Sequence, residues 1–166
     1  MGFEFCLLSD GQGARLLSSP LAGTRINSGI NSGINSVNQP EDLEREFFVS
    51  CLCAEWCGTC REYQPAFVQL ADEQPGVGFA WVDVEDHAEV AGDIDVDNFP
   101  TLVIQRGAQV LFSGPTLPDI GILKRLLATF MAQSQEESAR YAVGTAERLE
   151  WQEIGDVRGR LAGQGD

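Results

Sequence analysis

The sequence predicts an α/β domain with a mixed central sheet and helices on both faces. Three observations carry that expectation. Residues 47–54 are a continuous apolar run, the pattern of a strand covered on both sides, and residues 78–84 read as a second buried strand. Between them Tyr63, Phe67, Leu70 and Ala71 recur at helical spacing, so the run reads strand, helix, strand. Residues 101–105 and 109–112 then form two short strands around the turn Arg106-Gly107-Ala108. A last helix starts at Pro118 with Leu123, Leu126, Leu127 and Phe130 on one face. A crossover unit followed by a hairpin requires parallel and antiparallel pairing in one sheet.

The chain divides into three segments. Residues 1–39 are rich in Gly, Ser and Asn and hold a small tandem repeat at 26–36, so they read as a flexible N-terminal extension with too little apolar content to offset the entropy of ordering. Residues 3–8 are apolar enough for an edge strand, but a loop of about thirty residues would separate it from the sheet. Residues 40–131 form the domain. Pro40 opens a short helix with Glu41 and Asp42 in its first turn. Residues 57–74 form a helix that Pro65 kinks, and residues 85–94 form a short acidic helix or turn. Residues 132–166 read as an acidic, partly helical C-terminal tail whose stripe of Ala139, Val143, Ala146 and Leu149 is weak enough to dock or to float.

The net charge is −14, with 25 acidic against 11 basic residues, so the chain lacks the basic footprint of a nucleic-acid or anionic-membrane partner. No apolar run approaches the roughly 18 residues that cross a bilayer. The first ten residues, with Glu4 and no basic start, do not read as a secretory leader, which favours the cytoplasm. Four of the five cysteines crowd into Cys51, Cys53, Cys57 and Cys60, a spacing too local to staple a secreted fold. That clustering points to chemistry.

Cys57 and Cys60 stand two residues apart at a strand-to-helix junction. The first thiol falls at a helix N-terminus, where unpaired backbone N–H groups favour an anion, and the thiolate is the reactive form of cysteine. Cys57 is therefore the expected nucleophile. Cys60, one turn on and less exposed, is placed to attack the resulting mixed disulfide. Trp56 adds a flat apolar surface beside them.

The segment Ala54-Glu55-Trp56-Cys57-Gly58-Thr59-Cys60-Arg61, with Pro65 eight residues after Cys57, resembles the active-site segment of the thioredoxin-like family. Phe99-Pro100-Thr101-Leu102 resembles that family's cis-proline loop, and Gly107 and Gly114 match glycines of its terminal hairpin. The likeness covers residues 40–131. It implies a thioredoxin-like fold, a cis Phe99–Pro100 bond, and substrate contact at Trp56, Gly58, Thr59, Phe99 and Pro100. It further implies a protein disulfide reductase that needs no cofactor, acts on disulfide-containing protein substrates, and is recharged by a thioredoxin-reductase-like electron donor.

The sequence departs from the family in the strand before the motif. Cys51 stands where a buried acid is usual, Cys53 where an aromatic is usual, and Trp81 where a partner lysine is usual. Losing acid and lysine together is coherent, because losing one alone would strand a buried charge at about 3–5 kcal/mol. Cys51 and Cys53 read either as small apolar filling of a buried strand or as auxiliary thiols, Cys51 lying near Cys60. Gly-Thr in place of the usual Gly-Pro predicts a less reducing couple. Rival readings are a redox-sensing or interaction protein of the same fold with little turnover, and a zinc or iron–sulfur site on the cysteine cluster. Against the metal stand the buried strand and the lack of a second knuckle. His87 reads as a solvated residue of an acidic turn, and Cys6 as incidental. The acids from Asp83 to Asp97 read as a solvated face whose field attracts basic partners.

Overall fold

The computed structural model describes residues 37–164. The expected strand at 3–8, the repeat at 26–36 and Cys6 lie outside the described residues.

Strand β1 (Phe47–Cys53) is buried at all seven positions, as its unbroken apolar run requires. It pairs in parallel with β2 (Val77–Asp83), from Phe47 opposite Val77 to Cys53 opposite Asp83. On its other side it pairs antiparallel with β3 (Thr101–Arg106), which turns back through Gly107 into β4 (Gln109–Pro115). Gly107 has φ +61°, a left-handed conformation that suits glycine and lets the hairpin close. The sheet order is β2-β1-β3-β4, a mixed sheet as expected.

Helix α1 (Gly58–Glu73) is one helix that runs through Pro65, close to the expected bounds. Its buried Phe67 meets Phe79 and Trp81 of β2 edge-on, each with ring centroids 5.4 Å apart. The acidic segment before β3 holds one helical turn, α2 (Ala88–Ala91). Helix α3 (Ile120–Met131) lies beside α1, and Lys124 reaches Glu73 across them at 3.0 Å. It starts two residues after Pro118 because Asp119 caps it, accepting the Gly121 N–H at 2.8 Å.

The opposite face of the sheet, Phe48, Leu52, Ala80, Val82 and Val103, is covered by Val90 and Ile94 and by the far end of the chain. Residues after α3 fold into α4 (Gln135–Ala142), α5 (Ala146–Ile154) and α6 (Val157–Gly163). Each start has a polar cap. Ser134 and Glu137 form a reciprocal capping box, Thr145 accepts the Arg148 N–H, and Asp156 accepts the Gly159 N–H. Trp151 packs on Phe112 of β4, and Val157 is fully buried against the sheet.

Side-chain amides close both edges of the sheet. Asn38 accepts the Trp81 N–H at 2.8 Å and donates to its carbonyl at 3.3 Å, at the β2 edge. Gln152 accepts the Val110 N–H at 2.9 Å and donates to its carbonyl at 2.8 Å, at the β4 edge. Each amide mimics one residue of a neighbouring strand. A third amide, Gln105, is wholly buried and donates to Asp156 while accepting the Arg158 N–H, both at 2.9 Å. The C-terminal helices are thereby bonded to the middle of the sheet. Gly78 allows the single-turn 3-10 helix Pro40–Glu44 to lie on β2, since a Cβ there would stand 2.4 Å from the Asp42 carbonyl oxygen.

Two stability consequences are expected. Gln105→Ala strands the Arg158 N–H, removes one of the two donors to the Asp156 oxygen that caps α6, and should cost about 2–3 kcal/mol. Val157→Ala removes two methyl groups from a filled site and should cost about 1.5–3 kcal/mol. Urea denaturation of the full chain measures both. Midpoints unchanged from the parent would show that the C-terminal helices do not contribute to the core.

Candidate functional site

The site forms where β1 ends. The ladder runs out at Cys53, and the chain turns through Ala54, Glu55 and Trp56, with the Cys57 N–H donating to the Ala54 carbonyl at 3.0 Å. Arg61 folds back and donates to the Glu55 carbonyl at 2.8 Å, fixing this turn against α1. Cys57 is the N-cap of α1, in extended conformation, and no side-chain cap covers the helix start. The helix dipole therefore points its positive end at the Cys57 sulfur. Cys57 is partly exposed, Gly58 exposed, and Thr59 partly exposed, whereas Cys60 retains 1% of its surface.

A second loop closes over this turn. The Phe99–Pro100 peptide bond is cis, as the resemblance implied. Leu52 pairs with Thr101 across the ladder, so Pro100 stands level with Cys53 at the same end of the sheet. The Thr101 hydroxyl donates to the Asn98 carbonyl at 2.7 Å, and the Thr116 N–H donates to the Pro100 carbonyl at 3.0 Å. Trp56, 63% exposed, meets the Phe99 ring edge-on at 5.6 Å. Trp56, Cys57, Phe99 and Pro100 are thus collected from two loops on one end of the sheet.

The cysteines are arranged in a way the sequence did not disclose. Cys53 and Cys60 form a disulfide with Cα atoms 6.1 Å apart, while Cys57 and Cys51 are free thiols. Cys51 and Cys53 do share a strand face, their sulfurs 3.8 Å apart. Cys53, at the last position of β1, is level with the first turn of α1. Cys51 is one strand period deeper and fully buried. The expected neighbour of Cys60 was Cys51; the sulfur that reaches Cys60 is that of Cys53. Because Cys53 carries no hydrogen in the bridge, the S–H in the Cys51–Cys53 contact belongs to Cys51.

Burial pushes the Cys51 thiol far above its ordinary range, so it remains protonated at neutral pH. Trp81 is its partner in the β1/β2 ladder, so neither acid nor lysine occupies these two positions. Below the motif, burial, reinforced by Cys51 and Asp119, also raises the Tyr63 hydroxyl, which has no hydrogen-bond partner. The acidic run is partly used in structure: Asp83 accepts the Glu85 and Asp86 N–H groups, and exposed His87 faces Glu89 at 3.7 Å. Among the described residues no group of three or more His, Cys, Asp or Glu side chains could hold a metal ion. No described helix is long and apolar enough to cross a membrane.

Comparison with known proteins agrees with this geometry. Residues 35–116 match the model of the Thioredoxin family. The chain is similar to Thioredoxin H2-1 of Oryza sativa, 41% identical over 56 residues that cover 34% of this chain and 41% of that protein. It is also similar to mitochondrial Thioredoxin-3 of Saccharomyces cerevisiae, 29% identical over 92 residues that cover 53% of this chain and 68% of that protein. The crystal structure of oxidised yeast mitochondrial Thioredoxin 3 superposes with a TM-score of 0.52 at 22% identity, covering 59% of this chain and 99% of that one. This chain spans only 37–60% of the length of the first curated relatives it matches. Residues 35–116 thus carry a Thioredoxin family domain, with which the sheet order and the paired loops agree.

Proposed function

We propose that the protein is a disulfide reductase that works by dithiol–disulfide exchange. One observation carries this reading: Cys57, partly exposed at the uncapped start of α1, lies beside the cis-proline loop with Cys60 buried one turn behind it. Cys57 attacks a substrate disulfide and releases one substrate thiol. Cys60 then attacks Cys57, releasing the second thiol and leaving the pair oxidised. Trp56, Gly58, Thr59, Phe99 and Pro100 form the docking surface for the substrate chain. Electrons return from a thioredoxin-reductase-like flavoenzyme, and the proposed compartment is the cytoplasm.

A second reading, a redox-responsive interaction protein with little turnover, is favoured by the Cys53–Cys60 bridge. In that state Cys57 lacks a partner to resolve a mixed disulfide.

Insulin reduction coupled to a thioredoxin reductase separates the two. Under the reductase reading Cys57→Ser lowers the rate at least about 1000-fold, since its sulfur starts the exchange, and Cys60→Ser accumulates covalent adducts with insulin chains. Insulin reduction by Cys57→Ser at the parental rate sinks the dithiol mechanism. Absent turnover in the parent, with stable adducts at Cys57, establishes the second reading instead.

The pH dependence of resolution follows from Cys51. A thiol held protonated by burial supplies no base to Cys60, so thiolate must form by loss of a proton toward solvent. Single-turnover release of a substrate thiol from the Cys57 adduct should therefore rise roughly tenfold per pH unit between about pH 6 and 8. A flat profile between about pH 6 and 8 would show that another base serves Cys60.

A further inference from the structure

The Cys53–Cys60 bridge has no place in the two-cysteine cycle. Its two sulfurs are each held by residues only 1% exposed, so an external thiol cannot approach either in line. Cys57 is the one cysteine of the four that solvent reaches. Yet Cys60 lies in the first turn of the helix that Cys57 caps, and so is within reach of exchange from both sides.

Resting on the reductase reading, we propose that Cys53 is a further redox-active residue that takes Cys60 over from Cys57 after turnover. The oxidised protein then stores its disulfide between the end of β1 and the first turn of α1, and presents Cys57 as a free thiol. In the transfer, the Cys53 thiolate attacks the Cys60 sulfur. The Cys53–Cys60 bond forms, the Cys57–Cys60 bond breaks, and the electron pair leaves on Cys57 as thiolate. The proton given up by Cys53 returns to Cys57 or to water, and no electrons are gained or lost overall. Cys57 is the better placed leaving group, at a helix start open to water, whereas Cys53 is enclosed. The Cys51 S–H aimed at the Cys53 sulfur stabilises that sulfur when the reverse step expels it, which makes Cys51 a positioning residue.

The enclosed bridge can be opened only through Cys57. Its thiolate attacks Cys60, expels Cys53 and restores the Cys57–Cys60 bond at the surface. A dithiol reductant then attacks Cys57, delivers two electrons and ends as its own disulfide. Until such a donor acts, the oxidised protein holds a nucleophile with no resolving partner. It therefore captures a further disulfide as a lasting adduct, where the reduced protein would turn it over.

The test uses the full chain, reduced and then oxidised with one equivalent of diamide, alkylated under native conditions with iodoacetamide, and cleaved without reduction after Glu46, Glu55 and Glu62. Glu55 separates Cys51 and Cys53 from Cys57 and Cys60, so mass spectrometry reads the bridge directly. The relay predicts peptide 47–55 joined to 56–62, with Cys57 alkylated. In Cys53→Ser the bridge falls inside 56–62 and alkylation of Cys57 drops at least tenfold, whereas Cys51→Ser keeps the cross-link. Cys57→Ser, having lost the route inward, forms the cross-link at least tenfold more slowly. A parental bridge inside 56–62 with Cys57 unreactive overturns the proposal, as does a cross-link that forms at the parental rate in Cys57→Ser or one lost in Cys51→Ser. The parental map decides even if a variant fails to fold. It involves no protein substrate, so failure to reduce insulin strikes the reductase reading and leaves the map to judge the relay.

Discussion

Strand β1 is the constraint on which everything else depends. It is buried along its whole length and bonded on both sides, by β2 in parallel and by β3 antiparallel. A strand so enclosed cannot shift register without moving every side chain to the wrong face. Its last residue is therefore a fixed point. From that point the turn at Trp56 sets the start of α1, and the pairing of Leu52 with Thr101 sets the height of Pro100. The positions of Cys53, Cys57 and Cys60 follow from where one strand stops.

The same rigidity explains why the departures at Cys51, Cys53 and Trp81 belong together. Cys51 and Trp81 are partners across the parallel ladder, and Trp81 leans on Phe67 of α1. A charged pair at these positions would need water or further polar groups beside it. A thiol and an indole need only packing, and the neighbouring aromatic rings supply that. The Cys53 sulfur is enclosed, with the Cys51 S–H 3.8 Å away, and burial there favours an uncharged disulfide over a thiolate.

Much of this was legible in the sequence. The sheet class followed from the apolar run at 47–54, the buried strand at 78–84 and the hairpin. The cis Phe99–Pro100 bond was expected from the resemblance, and the place of Cys57 at the start of α1 from the strand-to-helix junction. The pairing of Cys60 was not legible: a period of two puts Cys51 and Cys53 on the same face, and only the height of the helix relative to the strand end selects between them. The docking of residues 135–163 was hidden for a similar reason. Their apolar stripe is thin, and the bonds that hold them, from Gln105 to Asp156 and from Gln152 to Val110, join residues more than forty positions apart.

Those distant bonds can form only late in synthesis, once residues 152–156 have been added. The stretch that matches the family ends at residue 116, but the sheet face formed by Phe48, Leu52 and Val82, which Val90 and Ile94 cover in part, is not completed until the segment around Val157 arrives. A chain elongating from its N-terminus holds the redox turn and most of the sheet well before that lid exists. For that interval an apolar surface stands open in the cell, available to chaperones or to another nascent chain. The acidic surplus of residues 41–131, sixteen acids against five bases, keeps such unfinished chains apart by mutual repulsion while the last helices are made.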